Sequence, residues 1–277
     1  MPLVAAVACP HTPQLLVRPE TEDRALVLRV HAAYARVKRL LTEARADAIC
    51  VIGGDHIEGF FLDAVPAFAV CVGASVSGEF GRYAYTFPVH EPLARAIVEE
   101  GIEREFDLTY SQDIRLDYAF YLPLHFTMPE PPVPIVPLYV NVYLPPQPTP
   151  RRCYAWGRTL RAILDARPER VALMASGGMS HYPGTDRYAS PDYEWDRQLL
   201  ATLADGRGAE TARLTGDELD KAGNVELRTW ITLLGAVGDA RADVVCYEPS
   251  WHHGNAVVVW PIPGRAPGTD PLPGSGR

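Results

Sequence analysis

The segment Val171–His181 has the sequence VALMASGGMSH, an apolar run that passes through two glycines and ends in a histidine. An apolar run bounded by turn residues predicts a strand buried on both faces, as in a parallel sheet. The same pattern occurs twice more: Leu3–Ala8 leads to His11, and Ala48–Ile52 leads through two glycines to His56. Strands of this kind need helices on both faces of their sheet, so the pattern indicates an α/β fold.

Four further apolar runs predict strands, and helical periodicity lies between several of the seven runs. The other strands are expected at Phe68–Val72, Val133–Val140, Val244–Tyr247 and Ala256–Trp260. The helices are expected at Ala25–Ala44, Pro92–Gly101, Tyr154–Ala166, Tyr193–Leu203 and Val225–Val237. Together they predict a central, mostly parallel sheet flanked by helices, with the active site at the carboxyl edge of the strands. The glycine- and aromatic-rich segment Gly73–Pro88 is expected as a hairpin or as a loop over the sheet.

Composition limits the classes of partner and the number of domains. The chain has 277 residues, is 47% hydrophobic and carries a formal net charge of -8. We expect one catalytic α/β domain over residues 1–262 and a disordered, proline- and glycine-rich tail over residues 263–277. Because basic residues do not cluster with aromatic ones, nucleic acid is excluded as the expected partner.

The five cysteines predict a reduced protein. Four of them lie in apolar strand-like runs, and no CxxC pair occurs, so we expect free thiols and a cytoplasmic location. The apolar stretch at the N-terminus is too short for a signal peptide or a membrane span, and it is expected as the first core strand.

The three histidines that follow strands predict a site. In a parallel sheet the carboxyl ends of strands form one edge, so His11, His56 and His181 should converge there. Convergent imidazoles are typical of a metal site, of acid–base catalysis, or of both. A single histidine at a strand end is more often structural, but three at equivalent positions favour function.

An imidazole metal site usually includes a carboxylate. The candidates are Asp55, Glu58, Asp117, Glu226 and Glu248. Asp55 precedes His56 and could hydrogen-bond a ligand. Glu226 opens a helical pattern, where the helix dipole alone would favour a glutamate, and spacing favours that structural role. The residues by themselves do not choose between zinc hydrolysis and iron oxygenation.

The same residues resemble a known family, the class III extradiol ring-cleavage dioxygenases. This group includes the protocatechuate 4,5-dioxygenase catalytic subunit and 2,3-dihydroxyphenylpropionate dioxygenase. The matching stretches are HTP at His11–Pro13, GDHIEGFFLDAVPAF at Gly54–Phe68, VGASVSGEFG at Val72–Gly81, SGGMSH at Ser176–His181 and TGDELDKAGNVELRTW at Thr215–Trp230. They span most of the chain, and together they are specific.

The resemblance implies a role for each matched residue. His11, His56 and Glu226 would bind Fe(II) as a facial triad that leaves coordination positions open. His181 would be the acid–base residue beside the metal. Some relatives have a second acid–base histidine in a segment like DHGF, where this chain has LDYAF, so Tyr118 stands there as a proton or hydrogen-bond donor. Tyrosine is a poor base at neutral pH, since its ordinary pKa is about 10.

The resemblance also implies the reaction and its participants. A catechol, or a 2-aminophenol, would be cleaved with O2 to a semialdehyde-type product by a homo-oligomer, with a small partner subunit in some relatives.

An aromatic cluster is a candidate lining for the ring of the substrate: Phe60, Phe61, Tyr83, Tyr85 and Phe87. His252, His253 and Asn255 are candidates to bind a ring substituent. The alternatives are a zinc-dependent hydrolase or a non-enzymatic scaffold on the same fold.

Overall fold

The computed structural model describes residues 3–260 and residue 262, so the expected tail over residues 263–277 lies outside the described part. Ten strands occur within the described residues. They are β1 (Leu3–Cys9), β2 (Ala48–Gly53), β3 (Phe68–Cys71), β4 (Ser75–Phe80), β5 (Tyr83–Pro88), β6 (Thr109–Ser111), β7 (Ile135–Val140), β8 (Val171–Ser176), β9 (Asp243–Pro249) and β10 (Gly254–Trp260).

Eight of these strands form one sheet in the order β6-β3-β7-β2-β8-β1-β10-β9. The central strands β7, β2, β8 and β1 run parallel to one another. Every residue of β2, β7 and β8 is buried, as expected for strands covered on both faces. The predicted α/β fold with a mostly parallel central sheet is confirmed.

Antiparallel pairs flank the parallel centre of the sheet. The last two strands, β9 and β10, pair antiparallel, and β10 pairs antiparallel with β1. Only four residues separate β9 from β10, and a parallel return needs a crossover of a dozen or more residues. The strand β3 is also antiparallel to β7.

Eight α-helices occur within the described residues. They are α1 (Gln14–Val17), α2 (Arg24–Ala44), α3 (Glu91–Glu103), α4 (Tyr118–Thr127), α5 (Pro150–Asp165), α6 (Tyr193–Ala204), α7 (Gly216–Lys221) and α8 (Leu227–Val237). Helix α8 packs on β1, β2 and β8, while α2 packs on β1, β9 and β10. Helices α5 and α8 approach closely at Gly157, where a Cβ atom would lie 1.8 Å from the carbonyl oxygen of Thr232.

Helix α4 is the main element that the sequence pattern did not predict. Its segment, YAFYLPLHFT, is buried on nearly all sides, so it has no amphipathic period to detect. It also contains Pro123, a residue that usually ends a helix. The helix begins because the side chain of Asp117 accepts a hydrogen bond from the backbone N–H of Ala119 at 2.7 Å.

The segment Gly73–Pro88 forms a hairpin, the first of the two forms expected for it. Strands β4 and β5 pair with each other in a separate two-stranded sheet. The hairpin packs against the chain before α4, and a Cβ atom at Gly78 would lie 2.2 Å from the carbonyl oxygen of Leu116. This contact places Phe80 against Tyr118, with ring centroids 5.7 Å apart.

Two further expectations concern the cysteines and membranes. All five cysteines are free thiols, and four of them are buried. Across residues 3–260, no helix combines the length and apolar character that crossing a bilayer requires.

Candidate metal centre

Three strands that are neighbours in the sheet deliver the three predicted histidines to one edge. Strands β1 and β2 both pair in parallel with β8, so His11, His56 and His181 follow strand ends that lie side by side. Glu226 joins them from the N-terminal end of α8. The ligand atoms of His11, His56 and Glu226 lie within 4.8 Å of one another, so this group could hold a metal ion.

The orientation of His11 is set by Ser176, the last residue of β8. The Nδ1 atom of His11 lies 2.9 Å from the Oγ atom of Ser176. Because the Ser176 hydroxyl donates its proton to the carbonyl oxygen of Ala119, its oxygen must accept from His11. The proton of a neutral His11 is therefore on Nδ1, and the lone pair of Nε2 points toward the Oε1 atom of Glu226, 3.2 Å away.

His56 is held in the same way by Asp117. The carboxylate of Asp117 accepts from the Nδ1 atom of His56 at 2.9 Å and from its backbone N–H at 2.7 Å. The Nε2 atom of His56 faces the Oε1 atom of Glu226 at 3.8 Å. Burial alone would lower the pKa of His56, but the hydrogen bond to Asp117 and the nearby carboxylate of Glu226 raise the pKa to about 9.

The expected role of Asp55 beside His56 is wrong. The carboxylate of Asp55 instead accepts from the backbone N–H groups of Ile57, Gly59 and Phe60, and so it shapes the loop after the histidine. Asp117 can reach the imidazole because it begins a different element, α4, that packs beside β2. The other two carboxylates form ion pairs elsewhere, Glu58 with Arg115 and Glu248 with Arg29.

Glu226 is the carboxylate of the centre, and its side chain is almost fully buried at 1% exposure. Its Oε2 atom accepts a hydrogen bond from the backbone N–H of Gly178, which leaves Oε1 facing the imidazoles. Burial would raise the pKa of this carboxyl, but His11 and His181 hold the pKa well below its usual range. Glu226 lies at the N-terminal end of α8, as the helical pattern indicated, but its side chain caps none of the helical N–H groups and instead faces the imidazoles.

The donor set fits a divalent cation. Two imidazole Nε2 atoms and one carboxylate oxygen converge, and each imidazole keeps its proton on the far nitrogen. An imidazole lone pair that faces a carboxylate oxygen at this distance is repelled by it unless a proton or a cation lies between them. A bound metal ion would take the place of such a proton.

His181 lies beside this group. Its Nδ1 atom donates to the carbonyl oxygen of Met179 at 2.9 Å, so in the neutral ring Nε2 carries the free lone pair. That Nε2 atom lies 3.6 Å from the Oε1 atom of Glu226. Burial lowers the pKa of His181, which favours the neutral ring at pH 7.

Tyr118 contacts both histidines of the centre. Its ring stacks on the imidazole of His56, with centroids 4.2 Å apart and planes 18° apart. It also meets the ring of His11 edge-on at 5.6 Å. The structure therefore brings Tyr118 and His181 to the candidate centre from α4 and from the loop after β8.

The residues expected at a ring substituent make other contacts. The ring of His253 packs on that of His181, with centroids 4.3 Å apart, and its Nδ1 atom hydrogen-bonds the carbonyl oxygen of Gly254 at 2.7 Å. The side chain of Asn255 accepts from Thr12 at 2.7 Å. His252 forms a buried pair with Glu22 at 2.9 Å. His253 therefore packs against His181, while the side chains of Asn255 and His252 are engaged with Thr12 and Glu22.

The aromatic cluster expected around the ring lies mostly away from the triad. Phe61 is 59% exposed, and Phe60 packs on Tyr139 at 4.6 Å. Tyr83 and Tyr85 lie on the hairpin, where both contact His125. Phe87 stacks on Tyr85. The hairpin residue that contacts Tyr118 is Phe80, which was not among those expected.

Two residues that contact the candidate centre were not expected there from the sequence, Ser176 and Tyr143. Ser176 pairs in register with Cys9 at the end of β1, and this register was the signal that could have placed it beside His11. Tyr143 hydrogen-bonds His56 and Glu226 from the segment after β7, and no motif marks it.

Comparisons with known proteins agree with this geometry. Residues 5–258 match the family described as the catalytic LigB subunit of aromatic ring-opening dioxygenase. A 2,3-dihydroxyphenylpropionate/2,3-dihydroxicinnamic acid 1,2-dioxygenase from Klebsiella pneumoniae is 27% identical, over 86% of this chain and 92% of the relative. The protein of the same name from Cupriavidus necator is 28% identical, over 90% and 95% respectively.

A solved structure supports the fold. The crystal structure of an uncharacterized protein from Escherichia coli K12 superposes with a TM-score of 0.64 at 17% identity, covering 93% of this chain and all of that one. The family match covers most of the chain, from the first strand to the last. The chain therefore belongs to the LigB family of aromatic ring-opening dioxygenases, the class III extradiol group that its motifs resemble.

Proposed function

We propose that this protein is a non-heme Fe(II)-dependent extradiol dioxygenase that cleaves the ring of a catechol or a 2-aminophenol with O2. The observation that carries the proposal is the convergence of the Nε2 atoms of His11 and His56 on the Oε1 atom of Glu226. These three residues are the proposed metal ligands. When bound, Fe(II) would hold the two adjacent ring substituents and dioxygen next to each other.

His181 is the proposed acid–base residue. Its Nε2 lone pair faces the metal pocket, because its Nδ1 proton is committed to the carbonyl oxygen of Met179. Burial lowers the pKa of the ring, so His181 is neutral at pH 7 and can take a proton from a substrate hydroxyl. The protonated ring can return that proton later, as ring cleavage leads to a semialdehyde-type product.

Tyr118 is the proposed hydrogen-bond donor to the substrate or to oxygen. Its ring stacks on the imidazole of His56 and meets the ring of His11 edge-on, so Tyr118 lies beside two of the proposed ligands. Burial raises the pKa of Tyr118, which keeps its hydroxyl protonated as a donor and unsuited to act as a base.

The proposed substrate class rests on the names of the relatives and on the donor set of the candidate centre. The relatives named above act, by their names, on 2,3-dihydroxyphenylpropionate and 2,3-dihydroxicinnamic acid. For this chain we propose only that the substrate carries two oxygen atoms on adjacent ring positions. The amino group of a 2-aminophenol is the alternative to the second oxygen.

The remaining proposals concern the setting. Residues 1–262 act as one catalytic domain, since His11 and His56 follow strands of one sheet and α8, which follows Glu226, packs on that sheet. The protein works in the cytoplasm, where its five free thiols would stay reduced. It assembles as a homo-oligomer, and a small partner subunit is the alternative that reconstitution would test.

The experiment that tests the function is oxygen uptake by protein loaded anaerobically with Fe(II). The panel contains catechols and 2-aminophenols, and absorbance follows a yellow ring-opened product. Uptake of one O2 per substrate with that product supports the proposal. Zinc prefers the same nitrogen and oxygen donors, so zinc-loaded protein is the control. Oxygen-independent hydrolysis by the zinc form would contradict the proposal, as would iron-loaded protein that consumes no oxygen.

A further inference from the structure

Tyr143 lies beside the candidate metal centre, although no sequence motif pointed to it. It belongs to the segment that follows β7. Its hydroxyl is hydrogen-bonded to the Nε2 atom of His56 at 2.7 Å and to the Oε1 atom of Glu226. These are the two atoms that face the metal position, so the hydroxyl lies beside that position as well. The Tyr143 ring packs on the imidazole of His56, with centroids 4.7 Å apart.

The backbone on both sides of Tyr143 is held in place. The side chain of Asn141 donates to the carbonyl oxygen of Leu144 at 2.6 Å and accepts from its N–H at 3.0 Å. Val142 is 1% exposed and packs so closely on Gly54 that a Cβ atom there would lie 2.6 Å from the valine side chain. The hydroxyl is therefore presented by an anchored segment, which argues for a role in the pocket.

The chemistry of a phenol oxygen matches the proposed metal. Oxygen donors suit iron, and a facial triad leaves three of six octahedral positions open. A fourth protein donor would reduce the open positions to two. A substrate that chelates through two atoms and a dioxygen molecule need three positions together, so a fourth donor has to leave when the substrate binds.

We propose that the hydroxyl of Tyr143 is a fourth oxygen donor to the metal in the substrate-free protein, and that a chelating substrate displaces it. The inference rests on the proposed function, because the metal and the chelating substrate come from it. In the substrate-free state this donor fills one of the three positions that the substrate and dioxygen need together.

The test uses the full chain loaded with ferric iron, with the iron content of every sample measured. On binding ferric iron the phenol releases its proton to solvent, and the resulting iron–phenolate gives an intense visible charge-transfer band with resonance Raman modes of the tyrosine ring. We expect the band in wild-type protein and its loss in Tyr143→Phe at equal iron content. Adding a catechol should remove the tyrosine ring modes from wild-type protein.

The matched control is Tyr118→Phe. Tyr118 packs on the same imidazole, but among the described residues its hydroxyl forms no hydrogen bond with a triad atom. This variant should keep the band. Competition with a chelator adds a second readout, in which Tyr143→Phe should bind Co(II) about 10-fold more weakly than wild type does.

The outcomes separate the two proposals. Iron-loaded wild-type protein without the band, or Tyr143→Phe with it, overturns the role of Tyr143 and leaves the proposed function standing. Tyrosine modes that persist after catechol binds overturn the displacement. Wild-type protein that binds no iron overturns the metal centre and this inference together. The wild-type Raman spectrum is decisive even where the variant folds poorly.

Discussion

At each of the three histidines of the candidate centre, a hydrogen bond to Nδ1 leaves Nε2 as the nitrogen that faces the centre. Ser176, Asp117 and the carbonyl oxygen of Met179 hold the Nδ1 atoms of the three rings, and each acts as an acceptor. The Nε2 atoms therefore all face Glu226. This shared arrangement suits two of the rings to the proposed role of metal ligand and the third to the proposed role of a base.

Replacing His181 should separate catalysis from metal binding. We expect His181→Ala to keep its iron, because the nitrogen of His181 is not in the triad, and to lower turnover by about 10²–10⁴-fold. Metal analysis and oxygen uptake measure the two effects. His125→Ala, at a histidine that contacts the hairpin, is the control and should change neither. Loss of iron from His181→Ala would show that the assigned roles are wrong.

Replacing Asp117 should weaken the metal site while the fold persists. In Asp117→Asn the amide oxygen can still cap α4, but the negative charge that supports the His56 imidazole is gone. We expect affinity for Fe(II) or Co(II) to fall about 10-fold to 100-fold. Chelator competition measures it. Asp23→Asn, at the cap of α2, is the matched control. Equal affinity in the two variants would contradict the supporting role.

At the scale of elements, one buried carboxylate joins the segments around His181. Asp196 of α6 accepts from the backbone N–H of Ser180, from the side chain of Asn224 and from the hydroxyl of Tyr247. These contacts connect α6 to the loop after β8, to the approach to α8 and to β9. The position of His181 thus depends on a residue outside the metal pocket.

Asp196 should make stability depend on pH. Burial raises the pKa of Asp196 from 3.8 to about 6. Between pH 3.8 and about pH 6, Asp196 is therefore protonated more in the folded protein than in the unfolded chain. Its contribution is therefore largest below pH 4 and decreases as pH rises through about 6, by up to about 3 kcal/mol. Urea unfolding of wild type and Asp196→Asn at pH 4, 5 and 6.5 measures it.

Comparing wild type with Asp196→Asn tests the direction of this pH dependence. Asp196→Asn has no carboxyl to titrate, so the difference in unfolding free energy between wild type and variant should shrink as pH rises. The protonation of other carboxyl groups cancels in that difference. A difference that stays constant, or that grows with pH, would contradict the raised pKa of Asp196.

At the scale of the whole molecule, the metal centre connects distant parts of the chain. The contact between His11 and Glu226 joins residues separated by 215 positions. His11 follows β1 of the central sheet, and Glu226 precedes α8, which packs on that sheet. Because the unfolded chain has no such site, metal binding should stabilise the folded protein.

Metal should raise the melting temperature of the protein. Fe(II) at about 100 times its dissociation constant adds about 2.7 kcal/mol of stability, which corresponds to about 5–10 °C for a chain of this size. Anaerobic thermal unfolding with and without Fe(II) measures the rise. In Glu226→Gln, which keeps the shape of the side chain and removes the charge, the rise should disappear. An equal rise in both proteins would place the metal elsewhere.

Much of the framework was predictable from the sequence. The buried strands β1, β2 and β8 appear as apolar runs, and the histidines after them were expected at one edge. These features depend on local sequence and on the fixed geometry of parallel sheets. Helix α4 was not predictable, because a helix buried on nearly all sides has no period and this one contains a proline.

The sequence by itself determined the α/β class, the free cysteines and the edge where three histidines meet, since apolar periodicity and strand ends are local properties. Only the tertiary structure decided that Asp117 rather than Asp55 supports His56, that Ser176 orients His11, and that Tyr143 enters the pocket. The reason is that each of these contacts joins side-chain atoms from segments far apart in the chain. Packing sets which atoms meet, and no spacing along the chain records it.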